Sequence, residues 1–76
     1  MNKNRRVALK NDAVTLRRVI SSLEQIRDEE EDSISNVPEN LSFSERYNEM
    51  TDAIDSIESA IDNINEAISD IEQITH

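Results

Sequence analysis

The groups in this 76-residue chain that could do chemistry are seventeen carboxylates, one histidine and a scatter of serine and threonine hydroxyls; there is no cysteine. A nucleophilic hydroxyl needs a base within hydrogen-bond reach, itself held by a third group. His76 is the one imidazole and stands at the chain end, remote in sequence from any Ser-rich stretch. Paired carboxylates do acid–base work when an apolar pocket raises one pKa. The carboxylates here lie in strongly polar sequence, which predicts no such pocket, and no catalytic residue is assigned. The run Asp28 to Asp32 has the charge to attract Ca²⁺. A calcium loop of the EF-hand type needs Gly at its sixth position and Glu at its twelfth. Counted from Asp28 these are Ser33 and Glu39, so the turn-forming Gly is missing and a solvated charge run is the expectation. No metal site and no cofactor is predicted, and the chain reads as a non-enzyme.

The elements that carry these groups are read from apolar spacing. Tyr47, Met50, Ile54, Ile57, Ile61, Ile64, Ile68 and Ile71 recur at alternating steps of three and four. This is a heptad seam with Ile at most a and d positions. Ala53, Ala60 and Ala67 precede three of the a positions, and Ile74 continues their row. The spacing predicts a helix over about 43–73, roughly 45 Å long at 1.5 Å per residue. Ser42-Phe43-Ser44-Glu45 before it reads as a capping box, with Ser42 as cap and Glu45 reaching back. A first helix is expected over about 10–33, with Leu9, Ala13, Leu16, Val19, Ile20, Leu23 and Ile26 on one stripe. Asn11 or Asp12 could cap it, although no breaker separates that point from Asn4. The acids of Asp28 to Asp32 oppose the helix macrodipole and predict a weak last turn. Asn36 and Pro38 end the helix, because Pro38 drives Val37 out of the α region. The connection is therefore placed at about 35–41.

No Gly, one Pro and few aromatic residues leave an all-α class, and the length allows one domain. Two long helices and a short connection form an antiparallel hairpin. Charge supports that direction. Residues 1–18 hold Lys3, Arg5, Arg6, Lys10, Arg17 and Arg18 against Asp12, a balance of +5, and the remainder carries −14. Folding about residues 38–40 places Arg17 and Arg18 near Ala60 to Asp62, Lys10 near Ile68 to Asp70, and Arg5 and Arg6 near Glu72. Structural pairing is likewise expected for Arg27 and Arg46, near the Asp28 to Asp32 acids. Exposed pairs contribute only about 0–1 kcal/mol each, so they select orientation rather than add much stability.

The seam is too broad for two helices. Ile at both a and d shifts preference from two strands to three or four, and a small domain buries proportionally little surface. A homo-oligomer follows: a dimer of hairpins closing a four-helix bundle, with Met50, Ile54, Ile57, Ile61, Ile64, Ile68 and Ile71 as the self-association seam. An acidic stripe on the outer face of helix 2, Asp55, Glu58, Asp62, Glu66 and Asp70, makes a basic protein partner the second reading, an inhibitor or mimic occupying a basic groove. Steps of four residues set these charges about 6 Å apart, sparse beside one charge per roughly 1.7 Å of duplex DNA, and a solubilising face is the simpler account. A small nucleic-acid-binding regulator using the basic N-terminus is the third reading. It lacks aromatic interleaving, and the acidic body repels phosphate, so nucleic acid is not the expected partner. No apolar run reaches membrane-spanning length, no signal-peptide core follows the basic N-terminus, and Cys is absent. A cytoplasmic protein without membrane association is expected.

From Asp28 onward, over roughly two-thirds of its length, the chain resembles a group of small acidic helical-hairpin proteins of bacteria and their phages. The resemblance rests on the acidic run, on Asn36-Val37-Pro38-Glu39-Asn40-Leu41, on Ser44-Glu45-Arg46-Tyr47 and on the Ala-Ile-Asp repeats. It implies a hairpin with a fixed loop and carries over no activity and no site.

Overall fold

A helix begins where its first amide donors find acceptors. In the computed structural model, which describes residues 1–41 and 44–76, that place is Asn2. Its side-chain oxygen accepts from the Arg5 amide at 2.8 Å, and its carbonyl accepts from the Arg6 amide at 3.1 Å. Helix α1 then spans Lys3–Ser35. It starts well before the expected Asn11 or Asp12, because nothing between Lys3 and Lys10 disfavours helix and Asn2 is an adequate cap.

The acidic run does not stop α1. Its last turn has no basic residue to offset the macrodipole, and the terminal carbonyls take other donors instead. The hydroxyls of Ser33 and Ser35 donate to Glu29 O and Asp32 O. The Asn36 and Val37 amides donate three residues back, to Ser33 O and Ile34 O, which tightens the end as a 3₁₀ turn does. After Pro38 a short 3₁₀ helix, Glu39–Leu41, closes on Leu41 N–H donating to Pro38 O at 2.8 Å. Leu41 O in turn accepts from Ser44 at 3.0 Å. Among the described residues none has positive φ, so the reversal is made without the conformation that would call for glycine.

Helix α2 spans Glu45–Thr75. Its N-cap is Ser44, whose hydroxyl accepts from the Tyr47 amide at 3.2 Å. The capping role expected of Ser42 lies outside the described residues. The two helices pack on each other and run antiparallel, so the chain is an all-α helical hairpin with no strand among the described residues. The hairpin is a rod of 59 × 15 × 13 Å.

The register departs from the expected one. Arg17 pairs with Glu72, not with the segment Ala60 to Asp62. Ala13 and Thr75, 3% and 4% exposed, come together at the open end. The cause is the connection. Val37, Pro38 and Leu41 line one groove with Tyr47 and Met50, beside Ser33 at the end of α1, so the first turns of α2 face the connection and only the tip of α1. This displaces the helices by about ten residues from a fold centred on 38–40. Residues 3–9 of α1 therefore run past the end of α2, an overhang of about 10 Å. Lys3, Arg5 and Arg6 do not lie beside Glu72 but beyond it, and Lys10 is beside the last turn, not beside Ile68 to Asp70.

Candidate interaction surface

Burial along each helix shows which residues form the internal seam. On α2 it is the expected one: Ile61 and Ile68 are buried at 8% and 6% exposure, and Tyr47, Met50, Ile54, Ile57, Ile64 and Ile71 are half-buried. On α1 and just beyond it, the half-buried or buried residues are Arg6, Leu9, Ala13, Leu16, Ile20, Leu23, Arg27, Glu30, Ile34 and Val37, with Glu24 half-buried beside them. This is also a heptad, with two charged members in its middle. Arg27 is held by Asp28, 3.2 Å away. The hydrogen bond to Asp28 raises the Arg27 pKa above its ordinary value, and the guanidinium, charged in any case, stands in the seam. Arg46, for which pairing was also expected, makes no described ion pair and lines the groove at the closed end.

Val19 and Ile26 are the correction to the α1 stripe. Both were expected inside, and they are 41% and 47% exposed. Each sits one residue before an a position, about 100° around the helix from it. The polar Arg27 and Glu30 hide the true phase of α1 in the sequence. The signal that reveals it is the unbroken three–four spacing from Leu9 to Val37.

Once the phase is known, the two flanks of the hairpin differ in chemistry. Residues following d positions (e) meet each other across an antiparallel pair, as do those preceding a positions (g). The e flank carries Lys10, Arg17, Glu24 and Glu31 on α1, and Thr51, Glu58, Asn65 and Glu72 on α2. The Arg17–Glu72 ion pair belongs to it and is half-exposed on both sides. The g flank carries Val19 and Ile26 on α1 and Ala53, Ala60, Ala67 and Ile74 on α2. Arg5 and Asp12 bound it at one end, Ser33 and Arg46 at the other. Ala60 and Ala67 are half-buried; Ala53 is exposed and Ile74 is 53% exposed. One face of the rod is thus polar and ion-paired, and the opposite face is apolar over its central stretch. The predicted seam Met50, Ile54, Ile57, Ile61, Ile64, Ile68 and Ile71 lies between them and faces α1, with Ile61 and Ile68 buried and the others half-buried inside the single hairpin.

Asp55, Glu58, Asp62, Glu66 and Asp70 are all exposed, and none makes a described ion pair. They start on the polar flank and cross the outer back of α2, and Asp70, three residues after Ala67 and four before Ile74, reaches the edge of the apolar face. The hydroxyls are occupied locally. Thr15, Ser21, Ser33 and Thr75 each donate to the carbonyl four residues back. A ring nitrogen of His76 lies 3.3 Å from Glu72 O, at the open end of the rod. Among the described residues, no group of three or more His, Cys, Asp or Glu is placed to hold a metal ion. No described helix is long and apolar enough to cross a membrane. No family model matches the chain, and no curated protein or solved structure matches it significantly.

Proposed function

We propose that this protein is a non-enzymatic helical-hairpin interaction module that self-associates, two hairpins closing a four-helix bundle over the isoleucine seam. The observation that carries this reading is the apolar flank beside the seam, where Val19, Ile26 and Ile74 are left about half-exposed on a single face. Area gives the scale. The hairpin exposes 5742 Å² at a mass of 8.7 kDa, where a globular monomer of that mass exposes about 4,700 Å². The excess, about 1,000 Å², is close to one partner's share of a standard interface, about 800 Å². A rod also gives excess area by shape alone, so the apolar face rather than the total identifies where a second copy belongs. Size-exclusion chromatography with light scattering tests the reading. The expected mass is twice the 8.7 kDa of the chain; a monodisperse, helical monomer at about 200 μM removes it.

The exposed carboxylates Asp55, Glu58, Asp62, Glu66 and Asp70 favour a second role, docking to a basic protein. Asp55, Glu58, Asp62 and Glu66 lie away from the apolar face and stay accessible in a pair of hairpins. Attraction through such a face falls with ionic strength. Partner capture at about 50 mM salt that is lost at about 500 mM supports the role, and capture at neither removes it.

A further inference from the structure

We infer that the second copy stacks on the Val19–Ile26 face in the opposite direction, so that the basic overhang of each hairpin lies along the acidic closed end of the other. This rests on the self-association proposed above and adds its direction and its charge contacts.

The rod is strongly dipolar. Cut at its middle, the open half (residues 1–22 and 66–76) holds six bases and four acids, a balance of +2. The closed half (residues 23–65) holds two bases and thirteen acids, a balance of −11. Two such rods side by side in the same direction set −11 beside −11. In opposite directions each strongly negative half meets a positive one, and like-charge juxtaposition is avoided.

The overhang makes the match specific. Lys3, Arg5, Arg6 and Lys10 stand where α2 has ended or is ending, and among the described residues none of them has an ion pair. Arg6 continues the seam of α1 with no helix opposite; it donates to Met1 O at 3.3 Å and its Nε has no partner. The apolar face adds an independent reason. Its centre, between Val19 and Ile26 on α1 and between Ala60 and Ala67 on α2, coincides with the middle of the rod. A two-fold axis through that point keeps apolar residues against apolar residues and brings Arg5 and Arg6 level with Glu45, Glu49 and Asp52 of the second copy.

The test uses the full chain, which has no cysteine, so a single nitroxide label can be placed at Asn4→Cys. With a long axis of 59 Å, opposed hairpins hold the two labels about 55–60 Å apart, and parallel hairpins hold them within about 25 Å. Charge reversal supplies a second readout. Arg5→Glu/Arg6→Glu, or Glu49→Lys/Asp52→Lys, each weakens self-association by roughly tenfold or more at low salt. An equimolar mixture of the two variants restores it, because both ends of the mixed pair are then matched. A dimer with the short label distance, or two variants that fail to rescue each other, overturns the opposed arrangement while leaving self-association standing. A wild-type monomer at every concentration overturns both. A monomer that retards a DNA or RNA duplex through Arg5 and Arg6 overturns the inference and assigns the overhang to phosphate.

Discussion

Consider truncating two isoleucines that the sequence alone would treat alike, Ile68→Ala and Ile26→Ala. The change removes three carbon groups at about 0.8 kcal/mol each when fully buried, or about 2.4 kcal/mol. Ile68 is 6% exposed inside the hairpin, so nearly all of this is lost on truncation, and a residual cavity raises the cost to about 2.5–4 kcal/mol. Ile26 is 47% exposed, so about half, roughly 1.2 kcal/mol, is at stake within the hairpin, and the better helix propensity of Ala returns a few tenths. The other half is realised only when a second hairpin covers the side chain. A two-fold pair loses it twice, about 2.4 kcal/mol per dimer, or roughly sixtyfold in Kd.

The two variants therefore separate by concentration. For a chain of this size 1 kcal/mol shifts Tm by about 4–8 °C. Far-UV circular dichroism melts at about 5 and 200 μM, with Kd from sedimentation equilibrium, are the assays. Ile68→Ala lowers Tm at both concentrations. Ile26→Ala lowers it more at the concentration where wild type is paired. If wild-type Tm does not depend on concentration, or if Ile26→Ala leaves Kd within about twofold, Ile26 faces water in the working state and the apolar-face argument is wrong.

Substitutions at three places probe the hairpin itself, and a deletion probes its overhang. Arg17→Ala removes an ion pair exposed on both partners and lowers stability by less than about 0.5 kcal/mol, a difference that vanishes at high salt in chemical denaturation. Ser44→Ala leaves the Tyr47 amide without its acceptor and costs about 1 kcal/mol by the same assay, whereas Ser44→Asp is close to neutral. Arg27→Leu/Glu30→Leu replaces the charged interruption of the α1 seam. Asp28, 65% exposed, stays hydrated when its partner goes, so the double variant raises Tm, by about 1–2 kcal/mol equivalent. Deleting residues 1–10 shortens α1 back to the last turn of α2; per-residue helicity stays within about 10% by circular dichroism while salt-dependent association is lost.

Much of the architecture is written in residue types and spacing. The three–four recurrence from Tyr47 to Ile71 could only be an amphipathic helix, because no other element returns side chains to one face at that period. Asn36 and Pro38 mark the end of α1, since Pro removes a donor and restricts the residue before it. The contrast between a basic N-terminus and an acidic remainder required no coordinates.

Register was a tertiary decision. A local pattern says which residues face inward, but not how much chain the reversal uses. The packing of Tyr47 and Met50 on Val37, Pro38 and Leu41 moved Arg17 from Ala60 to Glu72 and left Lys3, Arg5 and Arg6 beyond α2. Phase on α1 was the other such decision. Val19 and Ile26 are as apolar as Ile20 and Leu23, and only the approach of α2 over Arg27 and Glu30 turned them outward. Burial depends on what lies opposite a side chain, and that is a property of the folded pair of helices rather than of either helix alone.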